Sequence, residues 1–464
     1  MKYIQITLLA LCCFSCMEQK TEHFDHLITN VNIVDVISEK IVSNQNVGIR
    51  NGFIISIYSD TKNVSDSTVI VDGKGQYLIP GLWDMHVHAA WNIDPTNILY
   101  LRYGVTGVRD MWGVITDIYS KYSDDIPIVV ETQPAIFRSY DMLDGANSTH
   151  TPDSKIVLTA EQAKTTVAEQ IEKKVDFIKV YSMLTREVYF AIADECRKNN
   201  IPFAGHIPNA ITVWEAIEAG QTSSEHLYQI MEACLNNPDS LPELQDPDFE
   251  RWGDKRYKIV FDNYDKSKED SLFKAIAKSK LAITPTLLIN KVYNDFDSTL
   301  YRKEMYPFAL KHIIELWDAK RKEIIDTKLS KKMFEYKLSL MGLMQKAGVL
   351  LLAGTDALEL EMWPGISLHD EMALFVKGGL TNGEALKTAT INPAIYMGNS
   401  DKNGSVEVGK LANLVLLKKN PLEDIRNTTS IISVFSKGRY YTNKELIGLE
   451  EWVKGAVAQS LSDN

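Results

Sequence analysis

No block of like charge, no low-complexity tract and no heptad repeat occurs in this 464-residue chain. Its formal net charge of −11 is spread over acidic and basic residues that alternate along the sequence, which argues against a nucleic-acid partner and against a polybasic membrane patch. Cysteine is sparse. Three of the five fall in the first sixteen residues, and the remaining Cys196 and Cys234 lack metal-ligand spacing, so they read as buried thiols rather than a disulfide or a nucleophile. Histidine is also scarce, nine in all, which makes its placement informative. What the chain does have is apolar content: 45% hydrophobic residues are enough for one large core with a smaller unit appended, and they exclude a disordered chain.

The opening MKYIQITLLALCCFSC runs from Lys2 through a short apolar stretch to small residues, the layout of a secretory signal peptide over 1–16. The apolar run is too short to cross a bilayer. Ser15-Cys16, followed by Glu18, Gln19 and Lys20, resembles the lipobox of bacterial lipoproteins. That resemblance implies that Cys16 is acylated, with 17–25 as a tether and the lipid as the sole membrane attachment. The expected location is a bacterial cell envelope, in the periplasm or at the cell surface; an ordinary cleaved signal peptide is the alternative.

Residues 26–78 read as short alternating strands broken by Asn, Gly and Asp, and the same texture returns over 404–446. The two pieces are expected to form one split β-sandwich, with 447–464 a C-terminal helix or tail. Between them, 79–403 alternates apolar strand-like runs with amphipathic helical stretches, as parallel strands with crossover helices do. Eight strands are counted: LIPGLWDMHVH, GVTGVRDM, IPIVVETQPAIF, DFIKVYS, PFAGH, TSSEH, LAITPTLL and VLLLAGTD. The fold class is therefore α/β, a (β/α)8 TIM-type barrel with a small β-sandwich. Helical segments at 232–280 and 290–347 exceed a plain crossover and are expected to wall the mouth of the site.

His86 and His88 end the first of these strands in Asp84-Met85-His86-Val87-His88, and a spacing of two puts both imidazoles on one face. Lys179, His206, His226 and Asp356 stand at the ends of the fourth, fifth, sixth and eighth strands. A solvated or core-packed histidine has no reason to choose strand ends, so the set points to a metal centre. Tyr181 and Tyr228 each lie two residues beyond a ligand and are candidates to touch substrate. Arg109 and His150, near the ends of the second and third strands, are weaker candidates for a substrate carboxylate.

With IPGLWDMHVH, LLAGTDA, HDEMALFVKGGLTNGEALKTATINPA and GSVEVGKLANLVLL, these residues resemble the amidohydrolase superfamily from about residue 26 to 446, in the branch of imidazolonepropionase and prolidase-like dipeptidases. The resemblance implies two divalent metal ions, zinc above all: His86, His88 and Asp356 on one, His206 and His226 on the other, and Lys179 bridging them as a carbamate. It also implies hydrolysis of an amide-like bond of a small molecule, such as a dipeptide or N-acyl amino acid, by a metal-bridged hydroxide, with Asp356 taking and returning the proton.

Deaminases of this superfamily with one metal lack the strand-four lysine and place Glu just after the strand-five histidine, where this chain has Ile207-Pro208-Asn209. Lactone or ester hydrolysis uses the same site and stays open. A non-catalytic scaffold is the reading of another class, and the intact ligand set argues against it. A homo-oligomer is compatible with all three readings.

Overall fold

The computed structural model describes residues 21–60, 62–89, 95–112, 132–149, 154–237, 254–294, 302–322 and 327–462. The expectations for 1–16, Cys16 and His150 fall outside these residues.

The first five strands are β1 (His26–Asp35), β2 (Lys40–Arg50), β3 (Phe53–Tyr58), β4 (Val69–Asp72) and β5 (Tyr77–Pro80). Between β2 and β3 only Asn51 and Gly52 intervene, at φ of 52° and 75°. Two successive left-handed residues make the tight turn whose twist matches an antiparallel hairpin, and Asn-Gly adopts it at low cost.

After the central part of the chain, β15 (Leu414–Leu417) returns to pair antiparallel with β5 and with β16 (Ile431–Ser436), and β17 (Arg439–Thr442) closes the order β17-β16-β15-β5-β1-β2-β3. By hydrogen bonding the expected sandwich is thus one continuous sheet. It forks at β1, which pairs with β4 along His26–Thr29 and with β5 at Asn32 and Ile33. Register shifts on either side of Val31 turn the strand from one partner to the other. Val31, Val47, Leu78, Leu414 and Phe435 form the apolar core of this unit.

The central strands are β6 (Leu82–Val87), β7 (Val105–Asp110), β8 (Ala135–Arg138), β9 (Met142–Asp144), β10 (Ser154–Ile156), β11 (Ile178–Val180), β12 (Phe203–Gly205), β13 (Ser223–Glu225) and β14 (Ala282–Thr284). All their mutual pairings are parallel, in the orders β6-β7-β8 and β10-β9-β11-β12-β13-β14. Every residue of β6, β7, β11, β12, β13 and β14 is buried, as parallel strands covered on both faces require. Threonines start the connecting helices: Thr159, Thr185 and Thr212 each accept an amide N–H of the first turn.

Three strand expectations change in detail. The third is described only from residue 132, where β8 takes up its end, and β9 follows as a further strand beyond it. The seventh stops at Thr284, because Pro285 has no N–H to continue a ladder and a helix, Leu287–Asn294, starts at once. Its first amides, Leu287 N and Leu288 N, donate to the buried Glu371 carboxylate at 2.8 and 2.7 Å. The eighth forms no ladder. Residues 350–357 instead bond to both neighbours, Ile283 N to Leu350 O on one side and Met85 N to Ala353 O on the other, and the run ends where Asp356 turns to a φ of 66°.

Segments 232–280 and 290–347 contain the helices Asp254–Asn263, Glu269–Lys278, Lys311–Arg321 and Lys328–Ala347. The last helix, Asn443–Ser462, starts four residues before the expected tail. Through Glu450 it accepts a hydrogen bond from Tyr103 Oη at 3.1 Å and forms an ion pair with Arg102 Nε at the same distance. Among the described residues no helix is long and apolar enough to cross a membrane.

Candidate metal centre

Asp84 and His86 lie in β6 and His88 directly after it, and each is buried. Asp84 does not face a ligand position. It accepts Thr355 N at 3.0 Å and Thr355 Oγ1 at 2.7 Å, and so fixes the turn that carries Asp356. Burial raises the Asp84 carboxyl to about 7 against the pull of these bonds. The turn brings Asp356 Oδ1 to 2.9 Å from His88 Nε2 and 3.2 Å from His86 Nε2. Burial would raise the Asp356 carboxyl, but His86 and His226 hold it well below the ordinary carboxylate range.

His226 follows β13 at a φ of 60°, a left-handed conformation unusual for histidine. That turn swings its ring inward, 4.7 Å from His86 between ring centroids, although Glu225 before it also points in. His86, His226 and Asp356 each offer a ligand atom, and these lie within 4.8 Å of one another.

Strand alternation sends neighbours to opposite faces, so sequence reasoning passed over Glu225. It is fully buried and receives His86 Nδ1 at 2.8 Å. Burial would raise its carboxyl, but Arg109, His86 and Lys179 draw it far down.

Arg109 corrects an expectation. Its guanidinium is buried below the centre and donates to Glu225, Met85 O, Ser223 Oγ, Tyr396 Oη and Thr284 Oγ1, which occupy its Nε, Nη1 and Nη2. Held in this way, with no exposed surface, it supports the strands and the Glu225 carboxylate behind His86 rather than facing a substrate.

Glu225→Gln would leave that buried cation uncompensated. Its expected effects are a loss of about 3–5 kcal/mol of stability by denaturant titration and metal affinity weaker by about 10–100-fold in competition with a chelator. Wild-type values in both would show that His86 needs no such support.

Lys179 sits in β11 with 1% of its surface exposed. Burial lowers its ammonium to about 8, with Glu225 and Asp356 partly opposing the shift. Gly205 makes room beside it: a Cβ there would lie 2.2 Å from Val180 O and 3.1 Å from Lys179 Cδ. His206 follows this glycine, with its ring 5.0 Å from His226, 4.0 Å from Tyr181 and 4.4 Å from Tyr228. Both tyrosines therefore stand at the histidine cluster.

A common pattern fixes the rings. Nδ1 of His86, His206 and His226 lies at 2.8, 2.7 and 2.7 Å from Glu225 Oε2, Ser182 Oγ and Thr286 Oγ1. An imidazole held at Nδ1 presents Nε2 to a cation, as ligating histidines do. His86 Nε2 is buried and makes no hydrogen bond although Asp356 Oδ1 lies 3.2 Å away. Two acceptors that converge without bonding each other suit a cation between them, so the residues fit a metal.

A buried histidine and carboxylate centre at the ends of parallel strands defines a metal-dependent protein of α/β class. The sequence profile of the amidohydrolase family matches residues 141–440, and the chain belongs to that family, which is metal-dependent.

Among solved structures, the bottromycin amidohydrolase superposes with a TM-score of 0.74 at 20% identity, covering 93% of this chain and 90% of that one. A Xaa-Pro dipeptidase with bound methionine gives 0.63 at 17% identity, covering 90% and 99%. At these identities the likeness is one of fold. The adenine deaminase of Clostridium botulinum (strain Loch Maree / Type A3) is 35% identical over 75 residues, 16% of this chain and 12% of that enzyme, so the match spans a small part of the curated relative.

Proposed function

We propose that this chain is a binuclear hydrolase that cleaves a carbon–nitrogen, amide-like bond of a small molecule such as a dipeptide or N-acyl amino acid. The observation that carries the reading is the convergence of His86, His226 and Asp356 within 4.8 Å, with three imidazoles fixed at Nδ1. His86, His88 and Asp356 would hold one divalent ion, and His206 and His226 a second. Lys179, carboxylated on Nζ, would bridge them, and zinc suits the mixed imidazole and oxygen set. When bound, such ions ionise water near neutral pH and polarise a carbonyl.

The chain's own groups then have distinct tasks. Asp356 takes the proton of the attacking water and returns it to the leaving nitrogen. Tyr181, stacked on His206, and Tyr228, tilted against it, orient the substrate. The prolidase-like fold favours a peptide-like amide, and the likeness to a deaminase covers only a short stretch.

The reading includes a closed (β/α)8 barrel over 79–403, supported by the hydrogen bonds that run from β14 through 350–357 to β6. Residues 26–78 and 404–446 are its companion unit. Screening the metal-loaded protein against dipeptides, N-acyl amino acids, cyclic amides and lactones tests the bond type. Turnover of lactones alone would overturn the carbon–nitrogen assignment.

The reading also places the chain in a cell envelope through acylated Cys16. Cys16→Ala is expected to move the protein from the membrane fraction to the soluble fraction; a mutant still in the membrane at wild-type level would contradict the anchor.

A further inference from the structure

A pocket of about 380 Å³, its open mouth included, lies beside the centre with His226 and Tyr228 in its wall. Met231, Val260 and Met333 give it apolar surface, and its charged lining consists of Arg256, Lys337 and Glu232. Glu232 is bonded to Arg256.

Lys337 is the unusual member. On the helix Lys328–Ala347 the other lysines, Lys328, Lys331, Lys332 and Lys346, are exposed, whereas Lys337 lies one turn from Met333 on the buried face, 7% exposed. A lysine normally keeps its head in water, and a buried ammonium is unfavourable unless partners satisfy it there. Its Nζ donates to Asn290 Oδ1 at 2.7 Å, and Asn290 in turn donates to Pro285 O and Thr286 O at 3.1 and 3.0 Å. Thr286 Oγ1 holds His226 Nδ1. The lysine is thus built into the same support as a metal ligand while also forming part of the pocket wall. Guanidinium and ammonium groups can only donate, so the complementary ligand group is an acceptor, and the net positive lining favours an anion.

We propose that this pocket is a specificity subsite for a substrate side chain with an apolar body and a terminal carboxylate, the body against Met231, Val260 and Met333 and the carboxylate at Lys337 and Arg256. The proposal rests on the amide-hydrolase reading above and names its substrate class.

The test compares two dipeptides that share the scissile bond and differ only in whether a short alkyl side chain ends in carboxylate or methyl, with the full metal-loaded protein. Wild type is expected to favour the carboxylate by at least about tenfold in kcat/KM, as a charge-assisted hydrogen bond supplies. Lys337→Met should abolish the preference, chiefly through KM, and Lys337→Arg should keep it. No preference in wild type overturns the subsite, and so does a preference that survives Lys337→Met. An equal loss on both substrates also overturns it, because that is the signature of a lysine that only anchors Asn290. If wild type cleaves neither compound nor any other amide, the hydrolase reading fails instead, and calorimetric binding of the same pair to wild type and Lys337→Met decides the subsite by the same comparison.

Discussion

Lys179→Ala is expected to purify with less than its full complement of metal and with activity at background. The lysine is buried in β11, and its ammonium, lowered to about 8, releases enough neutral amine near physiological pH to add to carbon dioxide. Addition forms an N–C bond and frees one proton, and the product carries the negative charge that a second cation needs. Among the ligands assigned here, Asp356 is the only other anion. Short carboxylic acids should therefore restore part of the activity of Lys179→Ala by occupying the vacated bridge. They should not rescue His86→Ala, where a neutral terminal imidazole is missing. A lysine that instead meets substrate as a free ammonium gives the opposite pattern: full metal content in Lys179→Ala, no rescue, and a defect mainly in KM. Metal analysis of the purified variant, with mass measurement of the wild type for the added carboxylate, separates the two.

Asp356→Asn is expected to keep the fold and much of the metal but to lose at least about 100-fold in kcat, the low end of what a positioned general base contributes. The carboxylate stands between three imidazoles, Oδ1 near His86 and His88 and Oδ2 3.9 Å from His226. An amide in its place still offers an oxygen to a cation yet cannot accept a proton. Because Thr355 rather than Asp356 bonds to Asp84, the turn that carries the side chain does not depend on its charge. Turnover near wild type in a variant with normal metal content would assign the proton to another group.

The alternation of strand and helix, the split of the sheet-forming segments between the two ends, and the strand-end register of His86, His88, Lys179, His206, His226 and Asp356 were legible in the sequence. Each depends on local pattern. Hydrophobic period distinguishes strand from helix, and a spacing of two assigns a face, without knowledge of any partner.

Tertiary structure decided what those patterns could not carry. Arg109 sits on a strand as a substrate contact might, and only the arrival of Glu225, Ser223, Thr284 and Tyr396 from distant parts of the chain turns it into a buried support. Glu225 was hidden because alternation assigns it the face opposite His226, and the left-handed turn at His226 breaks that rule. Lys337 looks from its own helix like one more lysine among several, and its burial is set by the elements packed around it. Sequence singled out candidate metal ligands, because chemistry and period are local, and the structure brings His86, His226 and Asp356 of that set together. The structure decided which residues hold those side chains in place, because that depends on contacts between segments that the chain keeps far apart.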